Sequence, residues 1–293
     1  MKNFSKFQFF LLTLFLLSSF HLLSQDKYGG LALYTVREDM ETDAKSTLQK
    51  VADIGYQYVE AAGYKDRQFY GMEPIEFKNY LNELGLIPLS SHQSTVTLEN
   101  ADEMIADVKA AGFTYFVVPI PPMGLFQYDR EAKAMNFKGG AANLAQILDI
   151  LGEKCHKAGL KLLYHNHDFE YKKDADGIVP IDYLLEHCNP EYVNFQMDLY
   201  WVSKVGADPV AYFEKYPGRF KLWHVKDMDE EGRFAPVGTG TIDFARILAQ
   251  QNLSGMEYYY VEQDTTYNLK PIDAIKISHD GLKKIGFDMV LKL

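Results

Sequence analysis

The sequence predicts a single (β/α)8 barrel across residues 25–293. Three observations lead there. Strand-like and helix-like segments alternate eight times with no low-complexity linker between them. The strand segments are mostly continuous apolar runs, the pattern of a parallel sheet covered on both faces. The helical segments open on proline or a polar residue and stop at glycine. The rival arrangement, an open doubly wound sheet, usually carries a glycine-rich phosphate loop after its first strand. Tyr34-Thr35-Val36-Arg37 is not one.

The elements follow in order. Residues 30–36 are the first strand, and a helix with Thr42 or Asp43 near its start runs to Ile54, where Gly55 ends it. The second strand is 56–61, with a helix at 74–84 that starts on Pro74 and stops at Gly85. The third pair is 87–91 and 101–111, closed by Gly112. The fourth strand, 114–120, runs into Pro121 and Pro122, and a long helix at 140–158 ends at Gly159. The last four pairs are 160–165 with 181–187, 193–197 with 209–216, 220–225 with 244–251, and 257–261 with 272–285.

The first 24 residues read differently. Lys2 and Lys6 precede an apolar run from Phe9 to Leu17 that only Thr13 interrupts, and Ser18, Ser19 and Ser24 follow. A basic start, a short apolar stretch and a small-residue exit mark a secretory signal peptide. The run is shorter than the roughly 20 residues that span a bilayer; an uncleaved anchor is the alternative. The expectation is an exported protein, periplasmic in a Gram-negative cell and secreted otherwise, with no stable membrane insertion after cleavage. A homo-oligomer is compatible with this reading.

Composition narrows the partners. The net charge of −10 becomes −12 once Lys2 and Lys6 leave, because no acid precedes residue 25. That charge repels nucleic acid and anionic membrane, and no basic stripe offsets it. The 20 Tyr, 19 Phe and 2 Trp supply rings that can stack on sugar faces, although most of them must be core. Cys155 shares an apolar helical stripe with Leu148 and Leu151, which makes it a core residue, and its spacing from Cys188 does not demand a bridge.

Barrel enzymes place their chemistry where strands end and loops begin. Strand two ends near Glu60 and strand three at Ser91-His92-Gln93. Strand five ends in His165-Asn166-His167-Asp168-Phe169-Glu170, and strand six in Gln196-Met197-Asp198. Strand seven ends in His224-Val225-Lys226-Asp227, and strand eight in Glu262-Gln263-Asp264. Imidazoles and carboxylates that converge in one funnel repel or desolvate one another unless a positive charge lies between them. A divalent cation meets that need, and nitrogen and oxygen ligands without thiolate suit Mn, Co, Zn or Fe better than Mg or Ca. Asp198, His224 and Glu262 are the ligands this reasoning selects. Lys226 is expected to point into the funnel toward a substrate oxygen; the alternative is a rim lysine paired with Asp227. Glu60 and His92 are expected on the substrate side, or as satisfied structural residues. Trp201 and Tyr200 are candidates for a sugar-stacking wall, or for core. Gly238 and Gly240 read as a tight turn, since no arginine cluster accompanies them as a phosphate site would need.

Five segments together carry a resemblance: Gly159-Leu-Lys-Leu-Leu-Tyr-His-Asn-His-Asp-Phe-Glu170, Met197-Asp198, Trp223-His-Val-Lys-Asp227, Pro236-Val-Gly-Thr-Gly240 and Val261-Glu-Gln-Asp264. They resemble the xylose-isomerase-like TIM barrel family of sugar phosphate isomerases and epimerases, over nearly all of residues 25–293. The resemblance implies a divalent metal held from strands five to eight, which here means His165, Asp198, His224 and Glu262. Many isomerases of the family carry glutamate at the strand-five position, and in epimerase relatives two ligating glutamates exchange protons with opposite faces of the substrate. Only Glu262 of that pair stands here, which leaves His167 and Glu170 as neighbours for acid or base work. With two carboxylates and two neutral imidazoles the site charge is zero once a divalent ion binds, and such a site polarises a carbonyl more strongly than an anionic one.

The function expected is a metal-dependent isomerase or epimerase. It would act on an unphosphorylated sugar or keto-sugar by proton abstraction next to a carbonyl, through a metal-stabilised enediolate, with Glu262, His167, Glu170 and Lys226 as the catalytic candidates. A lyase or hydratase acting on a 3-keto-sugar or 3-keto-glycoside is the alternative, and a non-catalytic sugar-binding protein is a second. Endonuclease IV shares the resemblance, but its DNA-binding role does not fit a charge of −12.

Overall fold

The computed structural model describes residues 27–122, 124–129, 134–174 and 177–290, with backbone alone at 126–129 and 134–137. The expected signal segment, 1–24, lies outside the described residues.

Eight parallel strands close into a barrel: β1 (Gly30–Ala32), β2 (Tyr58–Ala61), β3 (Ile87–His92), β4 (Tyr115–Val118), β5 (Lys161–His165), β6 (Val193–Asp198), β7 (Phe220–Val225) and β8 (Tyr258–Val261). Each pairs with its neighbours in the chain, and β1 closes onto β8 through Gly30 opposite Tyr260. The helices form an outer ring: α1 (Arg37–Ile54), α2 (Pro74–Glu83), α3 (Ala101–Ala110), α4 (Gly140–Ala158), α5 (Pro180–His187), α6 (Leu199–Lys204), α7 (Pro209–Lys215), α8 (Phe244–Leu248), α9 (Gln251–Ser254) and α10 (Pro271–Ile285). Among the described residues no helix is long and apolar enough to cross a membrane.

The barrel interior explains where chemistry can sit. A packed layer of Ala32, Tyr58, Leu89, Tyr115, Val117, Leu163, Leu222 and Tyr260 fills it. Side chains alternate along a strand, so the residues two positions on share the inward face one layer higher. From Tyr58, Leu163, Leu222 and Tyr260 that step reaches Glu60, His165, His224 and Glu262. Register completes the ring: His165 lies opposite Gln196, and Asp198 opposite His224. An apolar plug with a polar storey above it therefore follows from the alternation alone.

Several elements differ from the sequence expectation for local reasons. The first strand stops at Ala32 and passes into a 3-10 turn, Leu33–Val36. Helix α1 starts at Arg37, not Thr42, and merges two helices across Asp43, which is non-helical at φ −155 and ψ 88. A helix that the sequence reading lacks, α6, begins directly at Asp198. The helix expected at 244–251 is two short ones, α8 and α9. Three hairpins decorate the loops after β2, β4 and β7: Tyr64–Lys65 with Gln68–Phe69, Phe126–Asp129 with Ala134–Phe137, and Asp227–Met228 with Phe234–Ala235. Their strands of two to four residues are too short for alternation to be read. Cys155 and Cys188 are buried free thiols, and burial raises both to about 12.

Helix α10 anchors the rim on the β7 side. A side chain at Gly281 would bring a Cβ to 1.8 Å from the Val237 carbonyl oxygen. The Ser278 hydroxyl on the same helix accepts the Val237 N–H at 3.0 Å. A Gly→Ala change inside a helix normally gains about 1 kcal/mol in propensity. Gly281→Ala should instead destabilise the fold by about 1–3 kcal/mol, because backbone must move to admit the methyl. A urea-unfolding midpoint at or above wild type would contradict that contact.

Candidate metal centre

His165, Asp198, His224 and Glu262 come from the ends of four successive strands and are all buried. One ligand atom from each lies within 4.8 Å of the others. That span is close to two metal–ligand bonds of roughly 2 Å each laid end to end. Asp198 begins α6: its Oδ1 accepts the backbone N–H of Tyr200 at 2.9 Å and of Trp201 at 3.1 Å. Helix capping fixes the carboxylate and leaves Oδ2 turned to the centre, where the Lys226 ammonium lies 2.8 Å away. A buried carboxylate oxygen is tolerated only beside positive charge, which Lys226 supplies here and a bound cation would share.

The polar residues beneath the cluster set its orientation. Gln196 Oε1 stands 3.0 Å from His165 Nδ1 and 2.8 Å from His92 Nε2, while its amide donates to Glu60 Oε2 at 2.7 Å. An amide oxygen only accepts, so His165 carries its proton on Nδ1 and presents Nε2 to the centre, 3.8 Å from Asp198 Oδ2. Glu60 Oε1 accepts from His224 Nε2 at 2.6 Å and from His92 Nε2 at 2.9 Å, and Ser90 Oγ donates to Oε2. His224 therefore turns Nδ1 inward, 2.8 Å from Glu262 Oε2. A carboxylate that orients a histidine whose other nitrogen faces a metal position is a recurrent way to fix tautomer and basicity.

The charges are mutually dependent. Burial opposes a charge on His224, but Glu262 and Glu60 outweigh it and push its pKa up to about 10. Burial and the neighbouring His224 and His167 imidazoles hold His165 far below its usual value. Burial together with the Lys226 ammonium brings His167 down to about 3, a neutral ring at physiological pH. Burial lifts Asp198 to about 6 against the pull of Lys226 and His224.

Lys226, two residues after His224, turns inward as expected. Its Nζ lies 2.8 Å from Asp198 Oδ2, 2.7 Å from Glu262 Oε2 and 2.8 Å from Asp264 Oδ1. It does not pair with Asp227. That carboxylate accepts the backbone N–H groups of Met228, Gly238, Gly240 and Ile242. The glycine N–H groups that could have cradled a phosphate are thus engaged within the protein. A cavity of about 320 Å³ opens above the cluster, lined by Tyr34, His92, His165, His167, Lys226 and Glu262, with Asp264 at its side.

Comparison with known proteins identifies the barrel's family. The profile of the xylose isomerase-like TIM barrel matches residues 48–285. The chain belongs to this family. It is similar to an inosose dehydratase of Clostridium tetani, 29% identical over 143 residues, which are 42% of this chain and 47% of that protein. The chain spans about half the length of the curated relatives it matches. It is also similar to a crystal structure of a sugar phosphate isomerase/epimerase from Parabacteroides distasonis, 26% identical, covering 90% of this chain and 96% of that one with a TM-score of 0.73. The fold alone is shared with the IolI protein with a bound zinc atom, 15% identical, covering 90% and 99% with a TM-score of 0.67.

Within this xylose isomerase-like barrel, three of the expected site residues stand elsewhere. Glu60 does not line the cavity; it is 1% exposed and held by four donors. Glu170 also lies out of the cavity. It is fully buried, takes the Tyr164 hydroxyl at 2.7 Å and the His167 N–H at 2.8 Å, and burial raises it to about 8. It positions the His167 loop and does not reach the cavity. Trp201 forms a wall behind the cavity, its ring 5.8 Å from that of His167 and 5.7 Å from Lys226 Nζ. The residue that sequence reasoning passed over is Gln196. Its signal is its place two residues before Asp198, which puts both on one face of a strand.

Metal-free, His224 meets two carboxylates and holds a proton until about pH 10. A cation at Nδ1 must displace that proton, so binding releases protons and tightens as pH rises through the neutral range. Calorimetric titration of Zn²⁺ in buffers of different ionisation enthalpy checks this; affinity independent of pH between 6 and 8 would contradict it.

Proposed function

We propose that this protein is a metal-dependent enzyme that takes a proton from the carbon next to the carbonyl of an unphosphorylated sugar or keto-sugar, with elimination of water or an alcohol as the outcome favoured by the site. The observation that carries the proposal is the asymmetry of the cluster: of the two strand-end ligands that line the cavity, one is a carboxylate, Glu262, and the other an imidazole, His165, where a symmetric exchanger would have two carboxylates, and the neutral His167 lines the cavity beside them. His165, Asp198, His224 and Glu262 would hold the cation. The cation supplies positive charge against the negative charge that develops on the substrate's carbonyl oxygen.

The chain's own groups do the rest. Glu262 is kept ionised by Lys226 and His224, well below the usual carboxylate range against the cost of burial, and is the base. His167 is neutral, lines the cavity and has a buried Nδ1 with no partner, so its ring can hydrogen-bond a departing hydroxyl, which leaves as water with the proton that Glu262 has taken. Lys226 brings a fixed ammonium to the cavity wall. The engagement of Gly238 and Gly240 by Asp227 supports a substrate without phosphate. The curated relatives named inosose dehydratase support elimination. The isomerase/epimerase from Parabacteroides distasonis supports the second reading, in which the proton returns to the sugar and the formula is unchanged. The reading of residues 1–24 as an export signal remains part of the proposal, and fits a substrate met outside the cell interior.

Two measurements test this. Purified protein should contain about one divalent ion per chain, and His224→Ala should lose it, while Glu60→Gln should weaken metal affinity by about 10–100-fold. Full metal retention in His224→Ala would remove the site. Incubation of inosose and a panel of keto-sugars in D₂O with Mn²⁺-, Co²⁺- or Zn²⁺-loaded protein should give loss of one water. Deuterium uptake at unchanged formula would establish the second reading, and neither change in any substrate would sink both.

A further inference from the structure

The loops after β1 and β8 build a second cavity beside the first. It holds about 370 Å³, a size that accommodates a small ligand. Thr35, Arg37, Glu38, Thr265, Tyr267 and Lys270 line it, and Asp264 lines both cavities. No residue of the metal cluster reaches it.

Its chemistry points to a neutral, hydroxylated ligand. Arg37 and Lys270 stand beside Glu38 and beside Asp264, whose Oδ1 also holds Lys226 at 2.8 Å, and Arg37 is already engaged, donating to the Tyr34 carbonyl at 3.0 Å and lying 4.5 Å from the Tyr34 ring centre. A phosphate or carboxylate would need a surplus of free cations. The threonine and tyrosine hydroxyls offer both donors and acceptors.

Tyr267 supplies the second observation. Its φ is +48, in the left-handed region that a bulky residue adopts only where the surroundings force it. The forcing contacts are local. Thr266 Oγ1 donates to the Leu269 carbonyl at 2.8 Å, and the Leu269 N–H donates to the Thr266 carbonyl at 3.0 Å. Gln263 Nε2 ties the preceding Thr265 carbonyl at 3.0 Å. The ring so presented is 51% exposed, with the Arg233 guanidinium 5.5 Å from its centre. Backbone strain here holds an aromatic ring in solvent at the wall of a cavity, where a sugar face can stack on it.

We propose that this cavity is a second sugar subsite, so that the substrate is a disaccharide or glycoside with its reacting ring in the metal cavity and its second ring on Tyr267. The proposal rests on the carbohydrate reading above and adds the number of rings. It is tested by calorimetry and saturation-transfer NMR on the full chain, Zn²⁺-loaded and chelator-stripped. Cellobiose, maltose, lactose and trehalose are compared with glucose and galactose. At least one disaccharide should bind about tenfold tighter than either monosaccharide, the worth of one ring stack. The advantage should persist without metal, vanish in Tyr267→Ala and survive in Tyr267→Phe, with metal content unchanged in both variants. Equal affinity for one and two rings, an advantage that outlasts Tyr267→Ala, or no binding of any of these sugars would overturn it. A disaccharide advantage in a protein that shows no chemistry in D₂O would support the subsite while ending the catalytic reading.

Discussion

Glu60 is buried out of reach of the cavity with both oxygens committed, and the candidate site is arranged around that commitment. Its four donors, Ser90, His92, Gln196 and His224, come from β3, β6 and β7. A carboxylate buried to this degree is kept ionised, well below the usual carboxylate range against the cost of burial, by the imidazoles of His92 and His224. The arrangement also works outward. By accepting from Nε2 of His224 it turns Nδ1 to the centre, and through Gln196 it fixes His165 in the complementary sense. Two imidazoles from non-adjacent strands thus turn Nε2 of His165 and Nδ1 of His224 toward one point, and His224 offers its lone pair there once the Nδ1 proton has left.

The carboxylates at the cavity are a problem in charge. Asp198, Glu262 and Asp264 are brought together where water is scarce, and such a group is tolerated only if positive charge is close. Strand alternation supplies it twice, since His224 and Lys226 lie two residues apart on one face of β7. The protein thus carries its own compensation, and a divalent ion would take over part of the role that the His224 proton and the Lys226 ammonium fill. Metal loading, protonation and the position of Lys226 are therefore one equilibrium viewed from three groups.

Rigidity reaches the rim from outside the barrel. Asp227 gathers four backbone N–H groups of the loop after β7, and α10 presses that loop at Gly281 with no room for a methyl group. The strained turn at Tyr267 continues the rim into α10. The walls on the β7 and β8 side are consequently set by packing before any ligand arrives, which lowers the ordering cost of binding.

The sequence by itself determines the eight-fold alternation, the helix stops at glycines such as Gly55 and Gly159, and the placing of Asp198, His224 and Glu262 at the ends of successive strands, with His165 added by resemblance. These follow from periodicities of 2 and 3.6 and from backbone freedom at glycine, all of which are local. Tertiary structure alone decides which polar residues face the cavity and which lie behind it. Glu60 and Glu170 are carboxylates at strand ends like Glu262, yet one sits beneath His224 and the other turns to Tyr164. Asp227 follows Lys226 directly but serves a loop at Gly238, Gly240 and Ile242. Partners set these roles, and partners come from other strands whose register no single segment encodes. The hairpins and the Tyr267 turn are of the same kind, too short to have a period and held by contacts that exist only once the barrel has closed.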